Sequence, residues 1–250
     1  MFKRLLVGMM LCWPLTAQTP VYDSAGTAVA SATVPTTHNP TAPATVNAGD
    51  ILILHINAFN DEADAAVSSV PSGYSLVGSE TASNVKLWGY CKVADGTEDG
   101  ANQSVTLTGG TSNDRATLAV YRFTASGGFS GCPTGTGVIT QDVDTPITGP
   151  TLTTTGPNQL GVLLINLMSN TTTMDSLTGE SGGDWIERLD TPNGFNGRIG
   201  LQTADLTGSA SISGGSDAIT SSIPTWIAMG CILSAPISAG GQRARRPIVF

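Results

Sequence analysis

The sequence predicts an all-β protein: two copies of one module, each of about five strands, closing as the halves of a jelly-roll-like β-sandwich with little helix. Three observations predict it. Behind a Gly49-Asp50 turn, Ile51-Leu52-Ile53-Leu54-His55-Ile56 is an almost unbroken apolar run, rich in β-branched residues and too short for an ordinary helix. That pattern is a strand buried on both faces. Behind Asn158-Gln159, the run Leu160-Gly161-Val162-Leu163-Leu164-Ile165 repeats it, both runs end Ile-Asn (Asn57 and Asn166), and similar segments follow each in the same order. Third, only 12% of the 250 residues are charged, 40% are hydrophobic and 30 are Gly, and the apolar runs are short and separated by Thr-, Ser- and Gly-rich turns. No segment sustains a helical period.

The elements follow in order. Residues 1–18 have the parts of a secretory signal: Lys3-Arg4, an apolar stretch from Leu5 to Leu11, and small residues at Leu15-Thr16-Ala17. The alternative is an uncleaved arm that packs in an assembly. The apolar part is too short for a comfortable membrane span, and Cys12 lacks the small preceding residue of a lipoprotein acceptor. Export predicts an extracellular or virion protein with no membrane span after processing. The first module covers 19–125. Ala28 to Val34 alternates weakly, as an edge strand does. Val70-Pro71-Ser72-Gly73 turns into a strand from Tyr74 to Gly78. Val85 to Val93 alternates, with Val85, Leu87, Cys91 and Val93 on one face and Lys86, Trp88, Tyr90 and Lys92 on the other. After the Asp95-Gly96 turn, Ser104 to Thr108 and Ala116 to Phe123 complete the module. A Gly-, Thr- and Pro-rich connection spans 126–150. The second module, 151–236, repeats the order with Asp184 to Leu189, Gly197 to Gln202, Ser209 to Gly215 and Thr225 to Leu233. A basic and apolar tail fills 237–250.

Three motifs of the first module resemble a recurrent pattern. Gly49-Asp50-Ile51-Leu52, Pro71-Ser72-Gly73-Tyr74 and Lys92-Val93-Ala94-Asp95-Gly96-Thr97-Glu98 are similar, in that order, to the Gly-Asp-Leu-Leu, Pro-Ser-Gly-Trp and Lys-Val-Ala-Asp-Gly-Ser-Glu motifs of phage structural and tail-associated proteins and of exported bacterial β-sandwich proteins. The resemblance covers roughly 34–125. Tyr74 stands where the pattern has Trp, and the second module restores Trp at Trp185. The resemblance implies a β-sandwich and supplies no catalytic signature.

The net charge of −8 excludes some functions. Lys3, Arg4, Arg243, Arg245 and Arg246 stand at the two ends, so the body is strongly acidic and a poor match for nucleic-acid phosphates. Gly179-Glu180-Ser181-Gly182-Gly183 fits the Gly-x-Ser-x-Gly elbow, but that elbow needs a preceding strand, a following helix and a His base. The only histidines are His38, in a Pro-flanked loop, and His55, inside the buried strand where the second module has Leu164. A core role is expected for His55, and no catalytic residue is assigned. Two distant histidines give no metal spacing. Asp61, Glu62 and Asp64, then Asp95, Glu98 and Asp99, then Asp142 and Asp144 are oxygen clusters of the kind calcium uses, but none has an EF-hand pattern, and solvated turns account for them. No cofactor or metal is assigned. No carboxylate pair stands out for glycoside hydrolysis.

Trp88 and Tyr90, beside Lys86 and Lys92, form the one arrangement suited to stacking a sugar ring. The competing reading has the N-terminal segment or a neighbouring subunit cover that face. Trp185 and Trp226 are expected in the core. With Cys12 in the signal, Cys91, Cys132 and Cys231 remain. Cys91 and Cys231 fall within strand patterns, as buried free thiols do, and no disulfide framework is inferred.

The sequence therefore predicts a non-enzymatic structural or adhesive protein. Its partners would be copies of itself, other structural subunits or surface glycans. The alternatives are a carbohydrate-binding module using Trp88 and Tyr90 and, third, a glycoside hydrolase. In the tail, Gly240-Gly241 frees Arg243, Arg245 and Arg246 to meet carboxylates, and Ile248, Val249 and Phe250 to fill a groove or extend a sheet edge.

Overall fold

The computed structural model describes residues 19–34, 36–59, 64–110, 114–133, 138–142, 147–154, 156, 158–168, 185–192, 197–206, 211–212, 216–217 and 225–235. The regions assigned to the signal and the tail, together with Ser181, Asp61, Glu62 and Asp144, lie outside them. Among the described residues there is no helix. The strands before the connection are β1 (Val21–Ala25), β2 (Val29–Ser31), β3 (Thr36–His38), β4 (Ile51–Phe59), β5 (Ala66–Ser69), β6 (Ser75–Ala82), β7 (Val85–Val93), β8 (Val105–Thr108) and β9 (Arg115–Thr124). After them come β10 (Val138–Asp142), β11 (Ile147–Thr148), β12 (Leu152–Thr153), β13 (Gln159–Leu167), β14 (Ile186–Pro192), β15 (Arg198–Leu206), β16 (Ser211–Ile212), β17 (Ser216–Asp217) and β18 (Trp226–Ser234). β10 and β11 fall within the stretch expected to be connection. β10 pairs along β18 from Val138 opposite Gly230 to Asp142 opposite Trp226, so the second sheet recruits its edge from there.

The two apolar runs, β4 and β13, are the central strands of two antiparallel sheets, and each is buried along its full length. The first sheet has the order β1-β9-β4-β7-β6, with β2 also on β9. The second has the order β10-β18-β13-β15-β14. Strand for strand the two orders correspond, and so do the irregularities. β6 carries a bulge between Leu76 and Gly78 against β7, and β14 carries one between Glu187 and Leu189 against β15.

A strand buried on both faces needs a partner on each. The large sheets supply one partner to each other. Ile51, Ile53, Leu87, Tyr121 and Phe123 of the first pack against Leu160, Val162, Leu164, Ile199, Leu201 and Met229 of the second. On its outer face the first sheet is covered by a small sheet, β3-β8-β5, with Leu52, Leu54 and Ile56 against Val105 and Leu107. The outer face of the second packs Leu163, Ile165 and Leu167 against Ile147, Leu152, Trp185 and Trp226, beside the short pairs β11-β17 and β12-β16. Trp185 and Trp226 thus take the core role expected of them.

The junction of the two sheets is nearly reciprocal. Asn57 Nδ2 donates to the Arg198 carbonyl at 3.3 Å, and Asn166 Nδ2 donates to the Lys86 carbonyl at 2.8 Å. The two Ile-Asn endings thus each reach the start of the strand beside their counterpart, Arg198 being the first residue of β15 and Lys86 the second of β7. At the centre the facing positions differ. Gly89 of β7 has no side chain, and Met229 fills the space: a Cβ on Gly89 would lie 2.2 Å from the Met229 methyl. At the edge, the Arg188 guanidinium of β14 sits 5.7 Å over the Tyr22 ring of β1.

Candidate functional site

Period-two alternation sends Lys86, Trp88 and Tyr90 of β7 to the outer face. The neighbouring hairpin strand sets Thr81 opposite Lys86, Ser79 opposite Trp88 and Leu76 opposite Tyr90. Leu76 and Ser79 share that face because the extra residue of the bulge, Val77, turns into the core. The small covering sheet ends at β5, so this part of the face stays open. Trp88 and Tyr90 are half-buried and Leu76 is 55% exposed. The result is an open groove of about 400 Å³ with Trp88 and Tyr90 on its floor, Ser79, Glu80 and Thr81 along β6, and Ala65 to Val67 along the opposite wall. Lys86 Nζ donates to the Ala65 carbonyl at 2.7 Å and lies 5.9 Å from the Trp88 ring centroid. Burial pushes the Tyr90 hydroxyl pKa up. Neither the N-terminal segment nor the small sheet closes over Trp88 and Tyr90 among the described residues.

The three resemblance motifs meet elsewhere, at the end of the sheet where β4 begins and β7 ends. The Gly49 amide donates to Ala94 O at 2.9 Å and the Ala94 amide to Asp50 O at 2.8 Å. Glu98 takes the Lys92 ammonium at 2.6 Å and accepts the Asp95 and Gly96 amides. Burial raises the Glu98 pKa, but the Lys92 ammonium and the backbone amides outweigh it and hold the carboxyl below its usual range. Asp95 accepts the Thr97 hydroxyl and amide, which lower its pKa. Gly73 covers the Lys92 stem, 3.1 Å from where its Cβ would stand, and Gly96 turns at φ +88° against Ala48. The motifs therefore tie turns together. Nearby, a depression of about 540 Å³ surrounds Arg122, whose guanidinium is held by Asp50 at 2.6 Å and Asp23 at 2.9 Å. It is larger than the groove, but its charges are spent on one another.

No family model matches the chain. No curated protein and no solved structure matches it either.

His55 lies fully buried between the large sheets. Asn166 directs its Nδ2 at the Lys86 and Ile56 carbonyls, so its Oδ1 accepts from His55 Nε2–H at 2.6 Å. His55 Nδ1 then accepts the Tyr121 hydroxyl at 3.1 Å. Burial lowers the His55 pKa to about 4, against the small opposing effect of Asn166, and raises that of Tyr121 well above its usual value. A neutral imidazole with both nitrogens satisfied and no route to solvent stabilises the core.

The remaining sequence candidates are placed as follows. His38 is buried on β3, with its pKa lowered by burial. Asp95 and Glu98 accept amides of their own turn, and Asp99 Oδ1 accepts the Val46 amide of the segment before β4. Asp142 ends β10. Among the described residues no three His, Cys, Asp or Glu side chains gather to hold a metal ion. The reading of Cys91 as a buried free thiol is corrected: Cys91 is bonded to Cys132, with Cα atoms 5.7 Å apart. The chain beyond β9 turns back over the inner face, through Gly128 N to Ala125 O and Phe129 N to Gly49 O, and brings Cys132 to β7. Cys231 is buried and free, and burial raises its pKa to about 12. Sequence reasoning found Trp88 and Tyr90 but missed Leu76, Ser79 and Thr81. Alternation from Tyr74 onward places Leu76 and Ser79 on opposite faces, and only the bulge reunites them.

Proposed function

We propose that this is a non-enzymatic structural or adhesive protein, working on a virion or an extracellular surface through contacts with copies of itself, other structural subunits or surface glycans. One observation carries the reading. Among the described residues, His55, Tyr121, Asn57 and Asn166 are sealed between the sheets, the charges of the Arg122 depression are paired with one another, and an aromatic groove stays open on the outer face of β7. A catalyst needs converging titratable groups within reach of a substrate, whereas an attachment protein needs rigid layers with a shaped exterior. The matching strand orders support a duplicated module whose copies close as halves of one jelly-roll-like sandwich. The Cys91–Cys132 bond suits an oxidising compartment, as export through residues 1–18 requires. The resemblance of 34–125 to phage structural and exported β-proteins points the same way. The tail, with Arg243, Arg245, Arg246, Ile248, Val249 and Phe250, would be a second contact. A carbohydrate-binding module is the alternative, and the Trp88–Tyr90 groove favours it.

Light scattering and cell-surface pull-down test the proposal with the full chain and with a chain ending at Gln242. The full chain is expected to form a defined assembly or to bind a surface, and the shorter chain to do so less well at low salt, with high salt narrowing the difference. A full chain that stays monomeric and binds no surface sinks the proposal.

A further inference from the structure

We infer that the groove over Trp88 and Tyr90 binds a neutral, hydroxyl-rich glycan chain. This rests on the proposed surface role and names the ligand class for it. The second sheet is an internal control. By register, the counterparts of Lys86, Trp88 and Tyr90 are Arg198, Gly200 and Gln202. The two sheets agree on their inner faces, where folding demands apolar residues, and diverge here. Arg198 pairs with Asp190, and Gly200 and Gln202 are buried. The three positions carry no aromatic and are closed over in one sheet, whereas in the other Trp88 and Tyr90 pack against the outer core cluster only in part and stay half-buried, so core packing accounts for one side of each ring and not for the side left open.

Shape and charge select the ligand. Two aromatics two residues apart on one strand stand about 6.7 Å apart along it, giving an apolar strip. Leu76 continues the strip, and the Ser79 and Thr81 hydroxyls edge it. A pyranose ring has the matching surfaces: C–H faces to lie on aromatic rings and a rim of hydroxyls for polar neighbours. The Lys86 ammonium is held by Ala65 O and the Trp88 ring, on a chain whose net charge is −8. An engaged cation on an acidic chain offers little attraction to an acidic polymer and suits a neutral one.

Trp88 also reports on the groove. Trp185 and Trp226 are 1% and 2% exposed, so Trp88 is the accessible indole among the described residues. The purified chain is titrated, by tryptophan fluorescence and affinity electrophoresis, with laminarin, galactomannan, and cello- and chito-oligosaccharides. Hyaluronan and an extended hydrophobic peptide serve as controls. At least one neutral glycan is expected to give a saturable response, weakened about tenfold or more by Tyr90→Gln, which installs the second sheet's residue, and by Trp88→Ala. Electrophoresis reads the variant that lacks the indole, and circular dichroism confirms both folds. If no neutral glycan binds, if the controls bind better, or if folded variants bind unchanged, the inference is wrong. Surface pull-down on the same variants separates the two readings. Attachment without glycan binding overturns this inference alone, and a wild-type chain that neither assembles nor attaches overturns the surface role beneath it.

Discussion

His55 occupies on β4 the place that Leu164 holds on β13, and burial keeps its imidazole neutral while Tyr121 and Asn166 satisfy its two nitrogens. Its pKa is depressed from 6.5 to about 4, so as pH falls the unfolded chain takes up the proton first and the native state loses stability. The effect grows from pH 6.5 down to about 4, amounting to about 3 kcal/mol in all, with about half gone by pH 5. His38, shifted in the same direction by burial, adds to it. Urea unfolding of His55→Leu is expected to give a protein less stable at pH 7 by about 1–3 kcal/mol, since Tyr121 and Asn166 lose their partner, yet less sensitive to acid between pH 6.5 and 5. A slope equal to the wild type's there would show that His55 is not the buried neutral group. Two glycines make a second contrast. A Cβ on Gly26 would stand 1.9 Å from the Thr41 carbonyl oxygen, fixed backbone, whereas one on Gly89 meets the movable end of Met229 at 2.2 Å. Gly26→Ala is expected to cost about 3 kcal/mol and Gly89→Ala about 1, measured by thermal unfolding. The core role of His55 was legible from the repeat, because Leu164 fills its slot. Neither the hydrogen-bonded partners nor the glycine contacts were, since they join residues far apart in sequence.

At the element scale, the turn from Lys92 to Glu98 shows what the resemblance motifs do. Glu98→Ala removes the Lys92 pair and frees the Asp95 and Gly96 amides. A loss of about 2 kcal/mol is expected. Hydrogen exchange should quicken at Asp95 and Gly96 more than at Gly49 and Ala94, whose backbone bonds remain. Because the Glu98 pKa is depressed, its contribution is present above the ordinary carboxylate range and fades as pH falls through the lowered value. Equal exchange at all four amides would contradict this account of the turn. Strands with strong alternation or continuous apolar character, β4, β7, β9, β13 and β18, were legible. β5, β10 and β11 were not: β5 and β11 are very short, β10 lies in a Gly-, Thr- and Pro-rich stretch, and each is defined by the strand it pairs with. The bulges were hidden too, because an extra residue leaves no mark on composition. Cys91 looked like a core thiol for the good reason that it is in the core; its bond depends on a turn from a different segment.

At the scale of the molecule, the inner faces of both sheets belong to one hydrophobic cluster, so neither sheet can open without exposing the other. Calorimetry is expected to show a single cooperative transition, and two resolved transitions would mean independent halves. The Cys91–Cys132 bond spans 41 positions, so its reduction should lower stability by about 4 kcal/mol on loop-entropy grounds. The face-to-face pairing commits the inner surfaces, and the outer face of β7 stays open where the small sheet stops. The all-β class and the two buried central strands were legible in the sequence, and the identity of the open face was not, because it depends on how far the small sheet reaches. Hydroxyl-radical footprinting of the full chain tests this division most directly. Trp88, Tyr90 and Leu76 are expected to oxidise readily while Met229, Tyr121 and Trp226 stay protected. Protection of Trp88 and Tyr90 together with rapid oxidation of Met229 and Tyr121 would contradict it.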